Sequence, residues 1–298
     1  MVGWSEADIS DQSGRIAVVT GANSGIGFET ARALAAKRAR VVLACRSEER
    51  GRDAERRLRA AVPAADARAE PLDLGSLASV RAFADKLRAS EPRLDLLVNN
   101  AGVMMPPLGR TADGFETQLG TNHLGHFALT GLLLDLLRSA AQPRVVTVSS
   151  LAHFWGRIAF DDLHAERAYN ATRAYGQSKL ANLLFARELQ RRFEAARMGA
   201  LSAAAHPGST RTELQRHSGP MRAIVAVFSQ QPPEGALPTL YAATAPDVRG
   251  GDYFGPSGFA GCLGPPGRAR SSPRSKDAAT ARRLWDVSEQ LTGVSFGL

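Results

Sequence analysis

Cysteine is nearly missing: the 298 residues include two, Cys45 and Cys262. Neither sits in a CxxC pair, so a disulfide framework and a cysteine-built zinc centre are excluded, and both thiols are expected to be reduced and structural. Lysine is scarce as well. Of 37 basic residues only Lys37, Lys86, Lys179 and Lys276 are lysines; the arginines are spread along the chain among the acids. The net charge of +8 is therefore weak evidence for an acidic partner. Arg56-Arg57, Arg191-Arg192 and Arg282-Arg283 read as solvated helix faces. Aromatics make up 6% and do not interleave with a basic face, so no nucleic-acid partner is expected. Long apolar runs are missing too. The best, around Leu132 to Leu137, is broken by Asp135 and falls far short of the ~18 residues of a membrane span. Met1 to Asp8 has neither a basic start nor an apolar centre, so no signal peptide is expected, and the expected location is cytoplasmic.

What is present is ordinary globular material, 44% hydrophobic and 22% charged, enough to cover the entropy of folding. Short β-branched runs alternate with longer amphipathic stretches. Strands are predicted at Ile16 to Thr20, Arg40 to Ala44, Ala67 to Leu72, Leu94 to Asn99, Arg144 to Ser149 and Leu201 to Ala205. Helices are predicted at Gly25 to Lys37, Glu48 to Ala61, Ser76 to Ser90, Asp113 to Ala140 and Arg173 to Arg197. Such alternation means right-handed crossovers and a parallel sheet covered on both faces. One doubly wound α/β domain is expected across residues 1–298, with a leading segment at 1–14. After residue 206 the texture changes. Residues 208–245 are expected to form a lid over the strand ends, and 250–298 a C-terminal extension that starts Gly/Pro-rich and closes with a helix from Lys276 to Leu291.

Thr20-Gly21-Ala22-Asn23-Ser24-Gly25-Ile26-Gly27 joins the first strand to the first helix. Glycines there permit a tight turn and let backbone N–H groups approach a pyrophosphate at the positive end of a helix. Gly21, Asn23, Ser24, Gly25, Ile26 and Gly27 are thus candidate cofactor contacts. At the end of the next strand stands Ala44-Cys45-Arg46. An NAD enzyme places an acid near here for the ribose 2′-hydroxyl; Cys45 holds that position and Arg46 follows, which favours a 2′-phosphate and hence NADP(H). Asp73, with Leu74 beside it, ends the third strand, and Asn99-Asn100-Ala101-Gly102 ends the fourth. Strand carboxyl ends line the crevice in such sheets. Asp73 is a candidate partner of the adenine amine, and Asn99, Ala101 and Gly102 of the loop over the cofactor.

Ser149-Ser150 follows a strand, and Tyr175-Gly176-Gln177-Ser178-Lys179 lies on a helix. Tyr175 and Lys179 at i and i+4 share a face. An ammonium near a phenol favours the phenolate, and bringing a Tyr from about 10 to neutrality takes roughly 4 kcal/mol. His123 and His126 share a helix face, but with no third ligand apparent a metal is not expected; packing or a loop hydrogen bond is the expectation, as for His206.

With these motifs the chain resembles the short-chain dehydrogenases/reductases of the compact type, a Rossmann-type fold. Within that family it is most similar to the retinol dehydrogenase and WW-domain oxidoreductase branch. The resemblance runs from about Asp8 to the C-terminus. The family's Thr-Gly-x3-Gly-x-Gly falls on Thr20 to Gly27, its Asn-Asn-Ala-Gly on Asn99 to Gly102, its Tyr-x3-Lys on Tyr175 to Lys179 and the branch's Ala-Cys-Arg on Ala44 to Arg46. It implies a catalytic serine at Ser150 and a catalytic asparagine at Asn122. Its Pro-Gly-x3-Thr falls on Pro207, Gly208 and Thr212, which would hold the nicotinamide amide. Tyr175 would be the general acid in carbonyl reduction and the base in alcohol oxidation, Ser150 would orient the substrate oxygen, Lys179 would bind the nicotinamide ribose and lower the Tyr175 pKa, and Asn122 would hold a relay water. A homodimer or homotetramer through the helices at Asp113 to Ala140 and Arg173 to Arg197 is also implied.

Phe154, Trp155, Leu214, Met221, Ile224, Val225 and Phe228 are candidates for an apolar pocket or equally for core. The expected substrate is a small lipophilic aldehyde, ketone or alcohol. A non-enzymatic NADP(H)-binding redox regulator is the alternative, disfavoured because Tyr175 and Lys179 are both kept. Light-driven tetrapyrrole reduction, known in a related branch, is disfavoured by the sparse cysteines.

Overall fold

The apolar runs become strands because both of their faces are covered. In β1 (Ile16–Thr20) all five residues are buried. It is followed by α1 (Gly25–Ala36), β2 (Arg40–Cys45), α2 (Glu48–Ala61), β3 (Ala67–Pro71), α3 (Leu77–Ser90) and β4 (Leu96–Asn99). The computed structural model describes residues 3–210 and 229–298. Successive β1 side chains point to opposite layers, as strand geometry requires. Ala17 and Val19 pack with α1 and α2 residues such as Leu34 and Leu58, while Ile16 and Val18 pack with Phe83, Phe127 and Leu189.

Where a single helical stretch is expected from Asp113 to Ala140, the chain is divided. α4 (Thr117–Leu119) runs into a π turn at Gly120–Leu124, then α5 (Gly125–Leu132) and α6 (Leu134–Arg138). Glu116 starts α4 by accepting from Gln118 N at 2.9 Å and Leu119 N at 2.7 Å, and Leu133 leaves helical geometry between α5 and α6. β5 (Arg144–Val148) leads to the Ser149-Ser150 pair, and α7 (Ala171–Ala195) follows, capped by Asn170. After β6 (Leu201–Ala205) come α8 (Pro232–Thr244), β7 (Tyr253–Gly258), β8 (Leu263–Arg268) and α9 (Ala278–Thr292).

The sheet order is β3-β2-β1-β4-β5-β6-β7-β8. β1 lies between β2 and β4, both parallel to it, so the crossovers reverse direction there and a crevice opens beyond the strand carboxyl ends. The expectation of a purely parallel sheet needs one correction. β8 is antiparallel to β7, and both lie in the Gly/Pro-rich stretch to which no strand was assigned. Pro265 and Pro266 are compatible with β8 because it is the edge strand. The leading segment holds one 3₁₀ turn, Glu6–Asp8, and Trp4 meets Tyr241 of α8 edge-on at 5.1 Å. α9 closes the other layer: Trp285 lies 4.9 Å from Phe127 and 4.5 Å from Phe296 between ring centres, and His123 Nε2 bonds Ser288 Oγ at 2.9 Å.

Candidate active site

The glycine turn is built for close approach. Gly21 has φ +67°, and a Cβ on Gly27 would fall 2.4 Å from the Gly21 carbonyl oxygen, which as backbone cannot move aside. α1 starts here without a side-chain cap: Ser24 makes no capping bond, whereas Ser47, Ser76, Asn170 and Asp277 cap α2, α3, α7 and α9. No acid stands in its first turn. A helix N-terminus left open beside a glycine turn fits a dinucleotide's pyrophosphate. Ile26 is buried, so only its main chain is offered. Asn100 straps the fourth strand to the turn, its Nδ2 donating to Thr20 O at 2.7 Å, while Asn100 N and Ala101 N both donate to Thr20 Oγ1 at 2.9 Å.

Around this turn the expected contacts separate. Arg46 is exposed at the end of β2, and Cys45 is buried against Gly51, its thiol pushed up to about 12 by burial. Arg57, read from the sequence as part of a solvated face, donates to Asn23 O at 2.6 Å and lies 4.5 Å over the Phe28 ring. Its place beside the turn depends on how α2 packs against α1, which spacing does not disclose. Asp73 Oδ1 accepts from Gly75 N at 2.9 Å, closing the turn after β3; the Leu74 side chain is buried in the core. Asn99 lies beneath the site rather than on its surface: it is fully buried, donates to Thr130 Oγ1 at 3.1 Å, and its Oδ1 has no partner among the described residues. Pro207 O accepts from Thr210 Oγ1 at 2.8 Å and Gln230 Nε2 at 3.0 Å, and Ser209 N, next to Gly208, bonds Cys262 O at 3.0 Å. Thr212, Leu214, Met221, Ile224, Val225 and Phe228 lie outside the described residues.

Ser150, Tyr175 and Lys179 come together where β5 ends against α7. Ser149 Oγ donates to Lys179 O at 2.7 Å, locking strand to helix. Ser150 Oγ accepts from Ala152 N at 3.2 Å, and the hydroxyl lies near enough to the Tyr175 phenol to favour its ionised form. Lys179 Nζ donates to Val148 O at 3.2 Å and lies 5.8 Å from the Tyr175 ring centre. A Cβ on Gly102 would sit 3.1 Å from Asn122 Oδ1 and 3.4 Å from Lys179 Nζ, so the fourth-strand loop rests on both. The π turn aims Asn122 at that loop. Its Oδ1 accepts from Val103 N at 2.8 Å, and its Nδ2 donates to Val103 O at 3.0 Å and to Ser178 Oγ at 2.9 Å.

Burial, not Lys179, governs the phenol here. It pushes Tyr175 up to about 12, opposed only by the nearby Ser150 hydroxyl, and brings Lys179 down to about 8. The sequence-based expectation of a depressed Tyr175 is thereby reversed: at neutral pH the phenol holds its proton. His123 and His126 are buried and neutral, pushed down by burial to about 3 and 4, and no group of three or more metal-binding side chains exists among the described residues. His206 is likewise buried, with Gly255 against its ring.

A protonated phenol near a serine hydroxyl, an ammonium beside them, and a glycine turn open to a pyrophosphate form a site for hydride exchange at a carbonyl carbon. The family model described as short chain dehydrogenase matches residues 15–223. Human retinol dehydrogenase 12 is 46% identical over 288 residues, 95% of this chain and 88% of that protein. Mouse retinol dehydrogenase 11 is 45% identical over 284 residues, 94% and 87% of the two chains. Among solved structures, an uncharacterized protein from Mycobacterium paratuberculosis superposes with a TM-score of 0.84 at 45% identity, covering 100% of both chains. The Pseudomonas aeruginosa RhlG/NADP active-site complex does so at 0.64 and 30% identity, covering 81% of this chain and 94% of that one. The chain belongs to the short-chain dehydrogenase/reductase family and is a nicotinamide-dependent oxidoreductase of the CH–OH/C=O class.

Proposed function

We propose that the protein is an NADP(H)-dependent reductase of small lipophilic aldehydes or ketones, with the reverse alcohol oxidation at the same site. The observation that carries this reading is the convergence of half-buried Ser150 with the buried Tyr175 and Lys179 where β5 ends against α7. Bound there, the nicotinamide supplies or takes up the hydride. Tyr175 holds the proton that passes to the substrate oxygen in reduction; a phenol near 12 is an acid that stays loaded at neutral pH. Ser150 Oγ donates to the same oxygen and sets its distance from Tyr175. Lys179 would bind the nicotinamide ribose, and Asn122, which holds the Gly102–Val103 loop, would hold a relay water. The glycine turn and α1 take the pyrophosphate, Asp73 the adenine, and Pro207 to Thr212 the carboxamide.

Preference for NADP(H) rests on Arg46 at the end of β2, which has no acid within ion-pair distance among the described residues, with Cys45 turned inward where an NAD enzyme keeps a carboxylate. Phe154 and Trp155, four and five residues beyond Ser150 and exposed, support a lipophilic substrate, as do the retinol dehydrogenases among the relatives. No helix among the described residues is long and apolar enough to cross a membrane. The reading includes a cytoplasmic location and a homodimer or homotetramer. The test is titration of NADPH and NADH into the purified protein, then a panel of lipophilic aldehydes and ketones followed by cofactor absorbance. Tight NADPH binding with turnover is expected, and Arg46→Ala should weaken NADPH by about 10- to 100-fold while sparing NADH, the scale of one charge-assisted contact. Equal affinity for the two cofactors, or no turnover on any carbonyl, would sink the proposal.

A further inference from the structure

A cavity of about 440 Å³ opens between α7, the β7–β8 hairpin and the turn at Pro273–Lys276, and none of the residues lining it belongs to the active site described above. Its wall carries Arg187, Arg268, Arg270 and Lys276 against one acid, Asp252. That acid is taken: Arg268 Nη2 lies 3.1 Å from Asp252 Oδ2. Arg187, Arg270 and Lys276 have no carboxylate within ion-pair distance among the described residues. Each is therefore an uncompensated cation facing the same space.

Arg187 is the anchor. It is half-buried on α7, and its Nη1 donates to Ser275 O and Ser275 Oγ at 2.7 Å while Nη2 donates to Ser271 Oγ at 2.9 Å. All three acceptors are neutral. They use three of the five guanidinium N–H groups, so the fork is oriented, partly desolvated and still holds donors in reserve. Withdrawing a guanidinium from water without a counter-ion is costly, and an oxyanion on the remaining donors offsets that cost with strong, directional bonds. The cavity has room for more than one oxyanion group.

The turn that holds Arg187 also reaches the active site. Ser272 N donates to His153 Nε2 at 3.1 Å, and His153 Nδ1 bonds Ser150 O at 2.7 Å. A carbonyl only accepts, so Nδ1 carries the proton and Nε2 is the acceptor that Ser272 needs.

We propose that this cavity is an oxyanion-binding site for a small ligand presenting phosphate or carboxylate oxygens to Arg187, Arg270 and Lys276. The test is calorimetric titration of inorganic phosphate and, separately, citrate into protein saturated with NADPH, so that the cofactor's own phosphate sites are filled, at constant ionic strength of about 0.15 M. Saturable binding of at least one probe is expected, weakened at least about tenfold in the exposed double variant R270A/K276A. Arg187→Lys should weaken it too while the far-ultraviolet spectrum stays native. Preference for phosphate over citrate, or the reverse, identifies the ligand's anionic group. Absence of saturable heat with both probes would overturn the proposal, as would unchanged affinity in R270A/K276A. It would also be overturned if light scattering showed the two substitutions dissolving an oligomer, because a second chain would then occupy this face.

Discussion

The Thr20 hydroxyl donates to Nε2 of His126 across 2.9 Å, although 106 positions separate the two residues. The direction follows from the other ring nitrogen. Nδ1 lies 2.9 Å from the Asn122 main-chain oxygen, which can only accept, so Nδ1 carries the proton of a neutral ring and Nε2 is the acceptor. Burial enforces the neutrality. One threonine hydroxyl thus accepts from Asn100 N and Ala101 N and donates to His126, joining the glycine turn, the fourth-strand loop and the π turn.

Replacing that hydroxyl by a methyl leaves two N–H groups without their acceptor. Thr20→Val is expected to destabilise the fold by about 2–4 kcal/mol, the cost of unsatisfied buried donors, and to weaken cofactor binding. Urea unfolding checks the first and a cofactor titration the second.

Tyr175→Phe keeps the ring and loses the proton. Turnover should fall by about 10²- to 10⁴-fold, the usual worth of a positioned acid, with NADPH affinity retained. Stopped-flow hydride transfer measured beside cofactor binding separates the two, and near-wild-type turnover would show that the proton comes from elsewhere.

Lys179 makes stability depend on alkaline pH. Burial lowers its pKa from 10.5 to about 8, so between those values the unfolded chain binds more protons and stability rises with pH. The full effect is about 3 kcal/mol at 1.36 kcal/mol per unit. Lys179→Met should flatten the rise seen in unfolding free energies between pH 8 and 10.5 and, without its ammonium, abolish turnover.

The histidines act on the acid side. His126 and His206 are pushed down from 6.5 to about 4 by burial, and His123 to about 3. Their contribution is complete above 6.5 and is lost as pH falls through that value toward 4, because the unfolded chain takes up protons first. Unfolding free energies should therefore drop steeply below pH 6.5, and less steeply in His206→Gln.

Much of this architecture was legible from short-range pattern. Ile16–Thr20 and Leu201–Ala205 have the limits expected for them, since a fully buried strand is an unbroken run of apolar and small residues ended by a turn. The glycine turn, Ser150, Tyr175 and Lys179 were legible for the same reason: their chemistry lies in local spacing. What failed depends on tertiary context. β7 and β8 contain Gly and Pro where strands usually have branched residues, and only their pairing with β6 and with each other makes them strands. Asn99 was misplaced because a strand residue's face is set by the sheet around it. Arg57 reaches the glycine turn only because α2 packs beside α1. The Tyr175 shift has the opposite sign from that expected because burial, unseen in a Tyr-x3-Lys spacing, raises it.

The bond from His123 to Ser288 spans 165 positions, and the same residues that frame it seat Trp285 and Phe296 on Phe127. During synthesis this layer cannot close until α9 has left the ribosome, which at ~5–20 residues per second leaves it open for roughly 10–30 s. Throughout that interval Phe127 is without its α9 partners, on a chain whose first strands are already available to pair. Substitutions in α9, remote from every group that touches substrate, should therefore act on yield in the cell before they act on turnover.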